Sequence, residues 1–381
     1  FDQKIIDMLS SLALAPLLCL SAAATPYPRW PNAYAGAVYF QTNGFEGNQI
    51  VASYINLDGS LGPAATYSTG GKGLAGNNIG APPGPHPDPF YGDGSVIVAG
   101  SYLYAVNAGS DSFSVFNINT ADAADLTFVQ TCSSVYEFPV SLAVTADGRM
   151  TCVLTSGAKN GIACYKLNAD GYFTHMTEND RSFGLNSTTP PMGPAANGNP
   201  SQMAFSPDGK TLLVALKGYL PTDANNPSGK MEQGFIGIYT ITDHVLSSAY
   251  TKQYVPAPGG FPFSIANDYS VKNAYFSTDV LTGAVLSKLS PDGTLEIVPA
   301  SINPQAATCW AAQSRKTMHY FTVDTGGLDK IANITEVAID WEKMTLSQIQ
   351  SASLGLNALS TDNAIAAIST GHEYMWTLTA G

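Results

Sequence analysis

A phrase of apolar runs and tight turns returns about every fifty residues along this chain, and it restricts the possible folds more than any other feature. In each copy an apolar run leads into a Ser/Thr-Pro/Ala-Asp-Gly turn, a second run follows, and a small polar turn precedes a third run. The copies are clearest over 143–165 and 204–239. A repeat of this period that is built only from strands predicts a β-propeller.

The strand pattern predicts an all-β fold, a seven-bladed β-propeller of four-stranded antiparallel blades. Blade one begins at Ala37 without an innermost strand, and 363–378 supply only the first two strands of blade seven. We therefore expect the seventh blade to be incomplete at the C-terminus, with about thirty residues missing and a sheet edge exposed. Residues 2–7 or 27–34 are the alternative source of a strand for this gap.

The N-terminal region predicts export from the cell. Residues 9–24 are apolar, too short to span a bilayer comfortably, and end in small residues, as a signal peptide does. We predict that 1–24 are upstream residues plus a signal peptide and that 36–381 form a single propeller domain. In a secreted, extracellular protein the sequons at Asn186 and Asn333 would be N-glycosylated.

The charge balance restricts the partners. A net charge of −12, with no basic cluster, argues against binding to nucleic acid or to an anionic membrane surface. No other stretch is long and apolar enough to cross a membrane. We expect a monomer that takes a small-molecule or carbohydrate ligand.

The cysteines predict one disulfide. Cys152 and Cys164 flank a turn almost symmetrically, so they should face each other across a hairpin and form a bridge, which secretion permits. The alternative is a pair of buried thiols. Cys132 and Cys309 lie in different repeats and are expected to be buried and unpaired.

Several phrases resemble a known family. They are Tyr54–Leu61 with Ser68–Gly71, Leu103–Ser110, Pro139–Ala143, Asn199–Gly209 and Gln305–Trp310. With these, nearly all of 37–381 resembles the seven-bladed lactonase family, which includes bacterial-type 6-phosphogluconolactonases and fungal 3-carboxy-cis,cis-muconate lactonizing enzymes. More narrowly, the chain is similar to secreted fungal relatives of that family. The resemblance implies hydrolase or cycloisomerase chemistry on a small cyclic ester, without a cofactor.

The chain departs from the family where strands enter the central pocket. The resemblance implies His and Arg there, but 139–141, 199–202 and 261–264 contain neither. The imidazole and guanidinium that would move a proton and hold a carboxylate are therefore missing from those places. A catalytic reaction would therefore need an active site formed by residues at other positions.

The mouth of the central channel is the predicted site. Blade connections and the turns between second and third strands share one face of a propeller, and convergent polar groups at a concave mouth are the default binding site. The alternative is turn chemistry, in which each side chain bonds its own backbone. The predicted substrate-binding residues are Asn107, Glu137, Ser141, Gln202, Ser264 and Asp362.

Four residues are the catalytic candidates. Lys217 is a cation where other repeats have Asn or Asp, so near Asp279 and Asp324 it would steady an oxyanion. The alternative is an ion pair that closes the channel. His86 lies in a proline-rich stretch expected to fold over the mouth, where it would act as a general base with Asp88 or Glu137; the alternative is a surface loop residue.

No Cys/His metal spacing, phosphate-binding loop or dinucleotide fingerprint occurs. Asp279, Asp324 and Asp362 have the oxygen ligands that a hard cation prefers, but turn chemistry is the stronger reading, and we predict no metal and no cofactor. The sequence thus predicts a lactonase-like enzyme. The alternative is a non-catalytic propeller that binds a carbohydrate, peptide or cell-wall component at the same mouth.

Overall fold

The computed structural model describes residues 34–77, 88–192, 198–221, 226, 228–325, 331–356, 359–368 and 371–380. The described chain forms seven consecutive antiparallel sheets, the blades of the predicted propeller. Blades 1 to 3 contain β1 Tyr34–Gln41, β2 Gln49–Asn56 and β3 Leu61–Ser68; β4 Val96–Ala99, β5 Tyr102–Asn107, β6 Ser112–Ile118 and β7 Leu126–Ser133; and β8 Pro139–Val144, β9 Met150–Thr155, β10 Gly161–Leu167, β11 Phe173–His175 and β12 Arg181–Ser182.

Blades 4 to 7 follow in chain order. They contain β13 Pro200–Phe205, β14 Thr211–Leu216, β15 Phe235–Thr242, β16 Val245–Leu246 and β17 Thr251–Tyr254; β18 Ala266–Asn267, β19 Ala274–Asp279, β20 Gly283–Leu289 and β21 Leu295–Ser301; β22 Thr308–Gln313, β23 Tyr320–Asp324, β24 Ile331–Asp340 and β25 Thr345–Leu356; and β26 Leu359–Ala367 and β27 Glu373–Ala380. Two single-turn 3-10 helices lie at Ala108–Ser110 and Thr177–Asn179.

The repeated Asp-Gly turns join the first and second strands of their blades. In blade 3 the Thr145 hydroxyl donates to Asp147 at 2.6 Å, and Gly148 adopts φ +71°. In blade 4 Ser206 donates to Asp208 at 2.8 Å, and Gly209 adopts φ +68°. Glycine closes each turn because side-chain-bearing residues seldom adopt a positive φ.

The outer strands of two blades are divided. In blade 3 the turn Thr177–Asn179 separates β11 from β12, and the Asn179 amide donates to the His244 carbonyl at 2.8 Å and accepts from Leu246 N at 2.7 Å. In blade 4 the outer strand is likewise divided into β16 and β17. Between blades 3 and 4, side-chain hydrogen bonds here take the place of some main-chain hydrogen bonds within the sheet.

The core lies between the sheets. Inner strands such as β14 are buried at every position, as continuous apolar runs predict for sheets packed face to face. Cys152 and Cys164 face each other on β9 and β10 with a Cα–Cα distance of 4.0 Å and form the predicted disulfide, while Cys132 and Cys309 are buried and unpaired as predicted.

The two ends of the described chain form the smallest blades. Blade 1 has three strands, β1 to β3, and blade 7 has two, β26 and β27. These are the strands that the sequence predicts for each of them. The predicted signal peptide and the alternative closing segments lie outside the described residues. No helix in the ranges given above is long and apolar enough to cross a membrane.

Candidate active site at the channel mouth

The described parts of three long connections lie on the same face of the propeller and form what we call the cap. They join β3 to β4, β12 to β13, and β14 to β15. Gly76 N donates to Pro89 O and Asn77 N to Pro191 O, both at 2.8 Å, which links the first connection to the second. The cap therefore gathers chain from blades 1 to 4 at one side of the mouth.

Residues 88–94 of the cap, which we call the strap, link the entrance of blade 2 to blades 3 and 4. Asp93 N donates to Ser201 O at 3.0 Å, and Gly94 O accepts from Leu142 N at 2.9 Å. A Cβ atom at Gly92 would lie 2.5 Å from the Ser201 carbonyl oxygen, so only glycine permits this approach. The strap is thus held by main-chain bonds to the inner strands β8 and β13.

Three carboxyl groups meet near the strap: Asp88 and Asp93 belong to it, and Asp362 lies in β26 of blade 7. Burial raises the pKa of Asp88 to about 7, and burial raises the pKa of Asp362 to about 6. Burial, together with the charge of Asp362, raises the pKa of Asp93 well above its usual range. Each side chain keeps partial access to solvent although protein surrounds it.

Lys217 is the cation of this cluster. Its side chain is 3% exposed, its Nζ donates to the Tyr91 carbonyl in the strap, and it lies 5.3 Å from the centre of the Phe263 ring. Burial lowers the pKa of Lys217 to about 8, against the opposing effect of the Asp88 charge. Its electrostatic partner is thus Asp88 instead of the predicted Asp279 and Asp324.

Two uncharged polar groups lie beside the carboxyl groups. Ser141 is fully buried, and its Oγ has no hydrogen-bond partner among the described residues. A Cβ atom at Gly94 would lie 2.9 Å from that Oγ and 3.4 Å from Gln202 Nε2, which places both next to Asp93. Gln202 Oε1 accepts from Ile265 N, so its amide nitrogen is oriented by blade 5.

Asp279 and Asp324 serve the backbone. Asp279 Oδ2 accepts from Gly260 N at 2.9 Å and Phe261 N at 2.8 Å, and Asp324 Oδ1 accepts from Ala307 N at 2.8 Å. Each carboxylate thereby holds the chain that enters the innermost strand of its own blade. The geometry gives both residues the turn role that the sequence left as the alternative to catalysis.

The other predicted substrate-binding residues also have protein partners. Asn107 is fully buried and donates to Ser114 Oγ at 2.9 Å, and Ser264 Oγ lies 2.8 Å from Thr278 Oγ1. Glu137 accepts from Thr189 Oγ1 at 2.6 Å, and this hydrogen bond lowers the pKa of its carboxyl. Asn107 and Ser264 thus bond to neighbouring protein side chains, and their predicted contact with a substrate stays a prediction.

His86 lies outside the described residues, so its predicted role as general base stays a prediction.

Of the two sequons, Asn186 is exposed in the connection after β12, and Asn333 is partly buried in β24. In the part of the chain that the structure describes, no group of three or more His, Cys, Asp or Glu side chains is arranged to hold a metal ion.

Asp93 is the functional candidate that the sequence reasoning missed, and Asp88 entered it only as a partner of His86. Tyr91-Gly-Asp-Gly94 looks like an ordinary turn, and nothing local shows that it reaches the inner strands of blades 3 and 4. The only signal was the departure of Lys217 from the repeat, since a buried cation requires a buried acid nearby.

The fold and the mouth define a seven-bladed propeller in which three carboxyl groups lie near the strap. Residues 35–181, less than half of the chain, match the family model described as "Lactonase, 7-bladed beta-propeller". This confirms the resemblance that the sequence phrases predict. No curated protein matches the sequence significantly.

Solved structures extend the likeness to most of the chain. The periplasmic gluconolactonase of Pseudomonas aeruginosa superposes with a TM-score of 0.62 at 16% identity, covering 91% of this chain and 88% of that one. A candidate 6-phosphogluconolactonase of Bacteroides fragilis gives 0.58 at 15% identity, with 93% and 89% covered. A candidate 6-phosphogluconolactonase of Bacteroides uniformis gives 0.56 at 15% identity, with 87% and 84% covered. At these identities the likeness shows the fold.

Proposed function

We propose that this protein is a lactonase-type hydrolase that opens a small cyclic ester with water at the channel mouth. The observation that carries the proposal is that Asp88, Asp93 and Asp362 lie together and that their environments give the three carboxyl groups different pKa values. A site that holds one carboxyl ionised and another neutral near pH 7 can run base and acid chemistry together. The family match and the propeller fold support the same class of reaction.

Asp362 is the general base in this scheme. With a pKa of about 6 it is ionised at neutral pH and still basic enough to take a proton from water. The hydroxide equivalent adds to the ester carbonyl carbon, and the ring C–O bond then breaks. The proton held by Asp362 passes to the departing ring oxygen, so the products are a hydroxy acid and unchanged enzyme.

Asp93 is the electrophilic partner. Its raised pKa favours the protonated carboxyl, which donates a hydrogen bond to the carbonyl oxygen as negative charge develops there. The Lys217 ammonium donates a hydrogen bond to the Tyr91 carbonyl and so holds the strap in place. Its positive charge also stabilises the ionised form of Asp88. Lys217 is therefore a positioning residue in this scheme, in place of the oxyanion contact that the sequence suggested.

We further propose that the protein is secreted. The buried disulfide between Cys152 and Cys164 and the likeness to a periplasmic protein support an extra-cytoplasmic location. Expression of the full chain in a eukaryotic host tests this. Export with a glycan that peptide N-glycosidase removes, and that Asn186→Gln abolishes, is the expected result; a reduced, unglycosylated protein retained in the cytosol would contradict it.

Acid release from a panel of lactones in a pH-stat tests the enzymatic proposal. We expect turnover above buffer by the wild-type protein and loss of about two to four orders of magnitude in kcat for Asp362→Asn and Asp93→Ala. Asp292→Asn, in an exposed turn of blade 5, is the matched control and keeps full activity. A folded protein that hydrolyses none of the lactones would contradict the hydrolase and favour a non-catalytic binding propeller.

A further inference from the structure

The balance of charge among the described groups at the mouth is negative. The ammonium of Lys217 offsets Asp88, a raised pKa favours the neutral form of Asp93, and the carboxylate of Asp362 supplies the remaining negative charge. That ammonium already donates to the Tyr91 carbonyl and faces Asp88, so its charge is offset inside the protein. An anion that entered the mouth would meet these carboxyl groups, and the described residues beside them supply no further cation.

The described arginines lie elsewhere. Arg149 and Arg315 belong to turns between first and second strands, on the face opposite the mouth, where Arg149 pairs with Asp147 at 3.9 Å and Arg315 stacks on Tyr269 at 4.0 Å. Arg181 donates to the Ser247 carbonyl at 2.7 Å at the outer edge of blade 3. A phosphate or carboxylate recognised through paired guanidinium bonds has no such partner in this part of the chain.

The exposed lysines on the mouth face are separated from the carboxyl groups or already paired. Lys159 pairs with Glu137 at 3.5 Å and Lys72 with Glu46 at 3.8 Å, and both lysine side chains are mostly exposed. Lys230 lies on an exposed segment of the cap. Ammonium groups that remain in water are screened by solvent and contribute little to anion binding.

The uncharged groups complete the site. The Ser141 Oγ is fully buried beside the strap without a hydrogen-bond partner among the described residues, and a buried hydroxyl is normally hydrogen-bonded. A ligand hydroxyl that reached it and the neighbouring Gln202 amide would supply the missing bond. This observation is independent of the carboxyl groups and points to a ligand that carries a hydrogen-bonding group such as a hydroxyl.

We propose that the mouth selects an uncharged, hydroxyl-bearing lactone and excludes lactones that carry a phosphate or a carboxylate. The inference rests on the proposed hydrolase function and narrows its substrate class. This substrate class differs from the phosphorylated and carboxylated lactones that name the 6-phosphogluconolactonases and the 3-carboxy-cis,cis-muconate lactonizing enzymes. The physical reason is that an added negative charge would be desolvated next to like charges at the mouth.

The test compares D-glucono-1,5-lactone with its 6-phosphate, which differ only in the charged group. We expect kcat/KM to favour the uncharged lactone at least about tenfold at low salt, and added salt to narrow the difference by screening. Asp88→Asn should also narrow it, whereas Asp292→Asn, on an exposed turn, should leave it unchanged. Thermal melting of each variant shows that it is folded.

The outcomes separate the two proposals. Faster hydrolysis of the 6-phosphate would overturn the charge selectivity and leave the hydrolase standing. Hydrolysis of neither lactone would contradict the hydrolase, and calorimetric binding of the corresponding lactam and its 6-phosphate would then decide the charge question. Tighter binding of the uncharged lactam supports the selectivity, and equal or tighter binding of the phosphate overturns it.

Discussion

The indole Nε1 of Trp376, in the last described strand, donates a hydrogen bond to the carbonyl oxygen of Gly59, in the first blade, at 3.1 Å. The same turn approaches the Tyr374 ring so closely that a Cβ atom at Gly59 would lie 2.1 Å from it. These contacts join blade 7 to blade 1 and close the ring through side chains and a turn.

Ring closure predicts a specific cost for Gly59→Ala. The new methyl group would displace the Tyr374 ring, and the backbone is held at φ +84°, so we expect a loss of about 2–3 kcal/mol in the free energy of unfolding. Gly293→Ala is the matched control, because Gly293 has φ +86° and open space around it, and should lose only about 1 kcal/mol. Equal losses in urea unfolding would show that the closure contact contributes nothing.

A second substitution that should lower the free energy of unfolding is at Asp268, at the interface of blades 5 and 6. Its Oδ2 accepts from Trp341 Nε1 at 2.8 Å and from Tyr320 OH at 3.0 Å. Removing a buried acceptor leaves such donors unpaired, so Asp268→Ala should cost about 3–4 kcal/mol in denaturant unfolding, against under about 1 kcal/mol for the exposed Asp292→Ala.

The pH dependence gives the same residue an independent test. Burial works to raise the pKa of Asp268, but the hydrogen bonds from Ser270, Val271 and Trp341 together hold it below the usual range. A lowered folded-state pKa means that the contribution is complete above the unfolded pKa and is lost as the pH falls through the folded pKa. The wild type should therefore lose more stability than Asp268→Asn on acidification below about pH 4.

Asp362→Asn should lose activity and gain stability. The folded-state pKa of Asp362 is raised to about 6, so ionising it costs stability as the pH rises from about 4 towards 7. We expect the variant to be more stable than the wild type by on the order of 2 kcal/mol at pH 8 and about equal to it at pH 4. A variant that is less stable than the wild type at pH 8 would argue against a carboxyl group whose ionised form destabilises the folded protein.

Lys217→Met tests the positioning of the strap. The variant keeps the length of the side chain but loses the bond to the Tyr91 carbonyl and the cation beside Asp88. We expect faster amide hydrogen exchange over 88–94 and a higher pKa for Asp88. Lys210→Met, at an exposed turn before the same strand, is the control. Unchanged exchange in the strap would contradict the role.

We expect the disulfide to raise the free energy of unfolding by closing a loop of the chain. Cys152 and Cys164 are separated by 12 residues, and replacing both with Ala should cost about 2–4 kcal/mol. Cys132→Ala, which removes a buried thiol without a bridge, should cost about 1 kcal/mol. Because both bridged residues are fully buried, dithiothreitol should reduce the bond only on the timescale of unfolding.

The sequence by itself determined the architecture. The periodic runs predicted seven blades, the symmetric placement of Cys152 and Cys164 predicted their bond, and the smaller first and last blades followed from the repeat count. These features are local or repeated, so alternation, turn chemistry and spacing along the chain are enough to specify them.

Only the tertiary structure decided which polar residues form the mouth. Asp279 and Asp324 end their strands as predicted but accept several backbone hydrogen bonds, whereas Asp93, in an inconspicuous turn, lies with Asp88 and with Asp362 of blade 7. Their encounter depends on the closing of the ring and on the path of the strap across it. Contacts between blades far apart in sequence leave no local pattern, because they arise only when the propeller brings the strand ends to one axis.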